Sequence, residues 1–154
     1  MSPVLADLRV LLEAEREVTI ALEGMAGVIT APEARACLDE LHFAMRWFCA
    51  GLGKHVTAPA RPLVRRSTPD LGVAFLMRER VLAAPSGVDR IRLLTHTQRS
   101  VVARVESMLA GSLAPDLRTF LEQARAILIE SIHCCEGAIA SLDRQREVPL
   151  DPEF

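Results

Sequence analysis

The chain holds one lysine, one tryptophan and no C-x-x-C pair, and its aromatic share is only 4%. It also has no apolar run approaching the roughly 20 residues that a membrane-spanning helix requires. Each shortage closes something off. Without such a run, no membrane partner is expected. Alternating aromatic and β-branched residues are too scarce to write strands. A nucleophile with its base and orienting group is missing, as are a phosphate-binding loop and a cofactor fingerprint, so nothing supports a hydrolase or a nucleotide-binding protein. Arginine outnumbers lysine seventeen to one, most simply a coding bias that carries no chemistry by itself. Of the four cysteines (Cys37, Cys49, Cys134, Cys135), two are adjacent, a poor geometry for a bond to each other. A chain of this size has no need of stapling, so reduced cysteines and a cytoplasmic setting are expected.

What is present describes one soluble globular domain. The length is 154 residues, half of them apolar and a quarter charged, with net charge −2. The opening stretch "MSPVLADLRVLLEAERE" carries acids within its first helical turns, which does not read as a signal peptide. Charge is unevenly spread: residues 61 to 104 hold nine Arg against three acidic residues, and the remainder is acidic. A basic middle can meet nucleic acid, but few aromatics accompany it and the whole chain is negative, which favours a solvated basic face.

Start and stop signals mark four long helices. The first opens at Ser2-Pro3 and runs to about Gly27. The second opens with "TAPE", where Thr30 and Glu33 have capping-box spacing, and ends near Gly51 or Gly53. The third opens with "SGVD", Ser86 and Asp89 standing three apart, and closes at Gly111; the fourth runs from about Pro115 to Asp143. Residues 1–143 thus form a single domain and 144–154 a frayed tail. The first and last connections are short. More than thirty residues separate the second helix from the third, Pro- and Arg-rich at first, then apolar enough for a short helix. Two tight hairpins joined by a long crossover give an all-α, four-helix bundle wired in the ferritin-like way.

Turning each helix at 100° per residue brings out its apolar stripe. In the first helix this is Val4, Leu8, Leu11, Val18, Leu22 and Met25, with Glu15 at its centre. In the third it is Ile91, Leu94, Val101, Val102, Val105 and Leu109, with Gln98 at its centre. A carboxylate in a core costs several kcal/mol unless paired, liganded or protonated. Glu15 therefore either bonds Gln98 or a buried water as a polar pair that fixes register, or serves as a metal ligand or proton-transfer group. The fourth helix buries Leu117, Leu121, Ala124, Leu128, Ser131, Cys135, Ala138 and Leu142. Its Glu130-Ser131-Ile132-His133 has the E-x-x-H spacing of an iron-binding helix, but Glu130 and His133 fall near the opposite face. There they are expected to form a surface pair or part of a subunit contact. The second helix gives Leu38, Leu41, Met45, Phe48 and Leu52 to the core, with His42 and Cys49 on one flank and Cys37 and His55 on the other. Phe43, Trp47 and Ala50 make a second apolar strip, either under the crossover or at a dimer interface.

The run from Asp89, "DRIRLLTHTQRSVVARVESML", continuing through "DLRTFLEQARAILIESIHCCEGAI", with "LLEAERE" near the start, resembles a small bacterial family of ferritin-like proteins of unassigned function. The matching positions are Glu13 to Arg16, Trp47, Leu94 to Gln98 with Arg104, and His133. They cover most of the chain outside residues 57 to 88 and the tail. The resemblance implies the ferritin-like fold. Ferritin-like proteins that hold two irons point about four carboxylates and two histidines inward, and here only Glu15 does so, Gln98 being an amide and Ala44 and Met45 filling the inner side of the second helix.

Three functions follow from these residues. The first is a metal-free, homodimeric binding or assembly module with a buried Glu15–Gln98 pair, which favours a protein partner and no enzyme. The second is a degenerate iron or zinc site built on Glu15 with His42 or Cys49, serving redox or metal handling. The third is thiol redox at Cys134 and Cys135, both of which read more readily as packing residues.

Overall fold

The structure, a computed structural model, describes residues 3–24, 29, 31–56 and 87–147, with side chains as far as Arg144. Four helices make up most of it: α1 (Pro3–Glu23), α2 (Pro32–His55), α3 (Gly87–Leu109) and α4 (Pro115–Glu147). Among the described residues there is no strand. Three of the four helices begin at a proline, whose missing N–H is one the first turn could not have bonded anyway.

The helices form a ring in which α1 and α4 each pack against α2 and α3. Cross-helix contacts give the directions. Between α1 and α3, Arg104 bonds Asp7 at 2.6 Å while Gln98 bonds Glu15 at 2.9 Å. Between α3 and α4, Arg92 pairs with Asp143 and Arg99 with Glu136. Cys37 meets Cys134, and further along Phe48 meets Phe120, between α2 and α4. His42 reaches Glu23 at 3.2 Å, and Cys49 bonds Thr19, between α2 and α1. Numbers rise on one helix as they fall on the other in every case, so all four neighbouring pairs are antiparallel. The diagonal pairs, α1 with α4 and α2 with α3, are consequently parallel. The connection after α2, the short helix expected within it, and Met25, Thr30 and Ser86 lie outside the described residues.

The apolar stripes face inward. Leu11, Leu41, Met45, Phe48, Leu52, Ile91, Leu94, Leu121, Leu128 and Ile132 are the largest side chains in the core and essentially sealed from solvent. Each such burial is worth about 1.5–3 kcal/mol, against about 0–1 kcal/mol for an exposed ion pair. The stripes therefore hold the bundle together, and the surface pairs trim it. In α1, Leu8 to Leu12 are buried without a break, Arg9 included, so this stretch is covered on every side and not only along its stripe.

Several helix ends differ from expectation. α1 stops at Glu23 rather than near Gly27. α2 is capped at Ala31 with no side-chain bond, Pro32 following; the Thr30–Glu33 box expected there falls on a residue outside the described ones. α4 continues past Asp143 to Glu147, so the tail begins as helix. Nor do Gly51 and Gly53 end α2, which runs on to His55. The reason at Gly51 is packing. A Cβ there would lie 2.1 Å from the Phe120 ring, which stacks on Phe48 and His55 and lies tilted against Trp47, with centroids 5.3–5.8 Å apart. Gly51 is a notch that admits an aromatic ring from α4, not a stop signal.

This yields a paired test. Gly51→Ala displaces Phe120 from its cluster and is expected to lower stability by about 1–3 kcal/mol, as overpacking does. Gly53, with open space around its Cβ position, should gain up to about 1 kcal/mol as alanine from helix propensity. Urea denaturation of the two variants measures both.

Candidate functional site

Among the described residues the one carboxylate buried in the core is Glu15. Leu11, Leu12 and Val18 set the inward face of α1, and Glu15 goes in with them; it and Gln98 of α3 are both 0% exposed. Gln98 Nε2 donates to Glu15 Oε1 at 2.9 Å. The remaining polar atoms of the pair, Glu15 Oε2 and Gln98 Oε1, are buried without a partner. Burial pushes the Glu15 carboxyl up from 4.5 to about 7, partly opposed by the bond from Gln98. An ionised carboxylate can only accept, which leaves two orphan acceptors buried in the core. A proton on Oε2 replaces one of them with a donor, next to an amide whose own oxygen lacks one. Chemically, the pair is a place to hold a proton.

The other residues proposed for a metal do not gather around it. His42 is half-exposed and bonds Glu23 at the end of α1, eight residues and about 12 Å along the helix from Glu15. Cys49 lies in the field of Glu15 and bonds the Thr19 side chain. Desolvation first, and the Glu15 charge second, push its thiol up to about 11, away from the thiolate a metal binds. Among the described residues no three His, Cys, Asp or Glu side chains cluster closely enough to hold a metal. One carboxylate, an amide and a neutral thiol do not fit a di-iron centre.

Glu130 and His133 are both exposed on α4 and border different grooves. Glu130 lines one against α2, and His133 one against α3. They are 60° apart around the helix, and neighbouring helices draw them further into separate company. The strip of Phe43, Trp47 and Ala50 is also divided. Trp47 is half-buried against Phe120, whereas Phe43 is 72% exposed and Ala50 is exposed.

The cysteines require a correction. Cys37 of α2 and Cys134 of α4 are joined in a disulfide, their Cα atoms 5.6 Å apart, well within the range such a bond spans. Adjacency bars a bond between Cys134 and Cys135, but not one from Cys134 across to a facing helix. Cys135 stays a free, buried thiol, its S–H directed at the Cys37 carbonyl at 3.7 Å. Burial, and then the charges of Glu40 and Glu136, push it up to about 12. The sequence did hold a signal: Cys37 flanks the stripe of α2 and Cys134 edges that of α4, on helices that pack together. Phe120, the hub of the aromatic cluster, was also missed, because it sits beside its helix's stripe and not on it.

The chain matches no family model, no curated protein and no solved structure.

Two outcomes are expected. The folded-state pKa of Glu15 lies above its ordinary value, so stability at this site is intact at acid pH and is lost as pH rises from about 4.5 through about 7. Between pH 5 and pH 8 the wild type should lose roughly 2–3 kcal/mol relative to Glu15→Gln, read by denaturant melts of both proteins at each pH. Cys37→Ser, which opens a loop between residues 97 apart, should reduce stability by about 2–4 kcal/mol. A thiol reductant should weaken the wild type similarly and leave the variant unmoved.

Proposed function

We propose that the chain is a ferritin-like four-helix bundle that works as a binding and assembly module, not as a metal-dependent oxidase. The parallel course of α2 and α3 supports the ferritin-like reading, because a long crossover between the second and third helices requires it. The positions that resemble the bacterial ferritin-like family (Glu13 to Arg16, Trp47, Leu94 to Gln98, Arg104 and His133) lie on the four helices.

The observation that carries the functional reading is the bond between Gln98 and Glu15. Di-iron bundles fill the middle of the core with inward carboxylates and histidines. Here that layer holds one carboxylate answered by an amide, with apolar side chains around it. Such a pair positions two helices relative to each other, and among the described residues no cluster of His, Cys, Asp or Glu completes a ligand set around it. What remains for function is the surface, where Phe43 stands open to solvent beside a groove.

Calorimetric titration of the purified chain with iron(II), under argon, and with zinc(II) tests this. Neither metal is expected to bind at a one-to-one ratio in the micromolar range. Stoichiometric uptake by the wild type that disappears in Glu15→Gln would overturn the reading and make Glu15 a ligand in a metal-handling protein.

A further inference from the structure

The outer face of α2 differs from the other seams of the bundle. On those seams four carboxylates are met: Asp7 by Arg104, Glu23 by His42, Asp143 by Arg92 and Glu136 by Arg99. Between α2 and α4 lies a groove of about 440 Å³ with Ala36, Ala44 and Ile127 on its walls and Asp39, Glu40 and Glu130 around it. Among the described residues none of these three carboxylates is in an ion pair. Phe43 stands at the lip, 72% exposed. Arg46, one turn further along α2, is exposed and likewise has no carboxylate partner there.

An open aromatic with a free cation ahead of it and free carboxylates behind it, on one helix face, describes a surface complementary to itself. In an isologous contact residue i meets j and j meets i. Set two α2 helices antiparallel with the two-fold axis passing by Phe43. Residues ahead of Phe43 on one helix then meet residues behind it on the other. Arg46, three ahead, and Asp39, four behind, lie on the same side of the face, about 60° and 40° from Phe43 at 100° per residue. They come opposite each other twice, once on each side of the axis. Ala36 and Ala50, seven residues to either side, leave room for the backbones to approach. The Cys37–Cys134 bond ties α2 to α4, so this face is set before the second copy arrives.

We infer that two copies of this chain pair through antiparallel α2 helices, packing Phe43 of each against the other at the two-fold axis and setting Arg46 against Asp39 of the second copy. The inference rests on the binding-module reading and names its partner. A burial of this kind places an aromatic anchor at the centre and charge pairs at the rim, the arrangement in which a few residues carry most of the affinity.

Sedimentation velocity on the full chain at micromolar concentration tests it, with far-UV circular dichroism to check that each variant keeps its helices. The wild type should sediment as a dimer. Phe43→Ser and Arg46→Glu should each weaken association at least about tenfold, and Arg46→Glu combined with Asp39→Arg should restore it. A monomeric wild type would overturn the inference and leave the groove for a partner of different sequence. A dimer indifferent to both single changes would overturn it by putting the interface elsewhere, and single changes that dissociate the dimer without rescue in the double would overturn the antiparallel register. Metal uptake by an intact dimer would defeat the binding-module reading alone, so the two failures are distinguishable.

Discussion

The bond from Gln98 to Glu15 crosses the seam where the backbones come together least. α1 and α3 approach each other more sparingly than any other neighbouring pair in the ring, and along that seam the specific contacts are polar: Glu15 with Gln98 inside, Asp7 with Arg104 nearer the surface. Leucine stripes alone tolerate a slip of one turn, about 5.4 Å, because another leucine then takes the place of the first. Polar pairs do not. A slip here would break both together and strand Glu15 among apolar side chains, at a cost of several kcal/mol. Stability comes from the stripes, and the choice of one register on the open seam comes from the pair. The closing of the ring, and with it the position of α2 and α4 around their groove, depends on that choice.

How much of this was legible in the residues follows from which forces act locally. The helices and their inward faces were readable because a 3.6-residue period of apolar side chains is a property of each segment by itself. Glu15 and Gln98 stood out for the same reason, as polar residues at the centre of apolar stripes. The ends were read less well. Gly51 and Gly53 carry the usual mark of a helix stop, but a glycine inside a helix can serve a neighbour instead, and the neighbour here is Phe120, 69 positions away. Nothing near Gly51 in sequence announces that. Phe43, Trp47 and Ala50 formed one strip by spacing, and it is again Phe120, from another helix, that takes Trp47 out of it.

The cysteines make the same point about distance. Their spacing argued against a bond, and the argument was sound for Cys134 with Cys135. It said nothing about Cys134 with Cys37, whose approach depends on α2 and α4 packing antiparallel. With that bond in place, the argument from cysteine usage for a reducing, cytoplasmic setting no longer holds, since such bonds persist in oxidising surroundings. The bond also explains the division of labour between adjacent cysteines. Cys134 faces across the seam and is bonded, while Cys135 points into the core, where burial and nearby carboxylates hold it as a neutral thiol.

An exposed phenylalanine forfeits about 1.5–3 kcal/mol that burial would have returned. On this bundle the loss is not forced by a shortage of sites, since Phe48 is fully buried and Phe120 packs in a cluster one to two turns further along the same seam. Nor is the acidic surround of the groove matched on the other seams, where arginines answer Asp7, Glu136 and Asp143. The open aromatic is a cost to the lone chain and the carboxylates beside it are free to meet a charge, and one event answers both, the arrival of an apolar group with a cation next to it. Phe43 and Arg46 are such a group and such a cation, already on the same helix. The core, with its acid–amide pair, is closed; the outer face of α2 is where this fold still has free energy to gain.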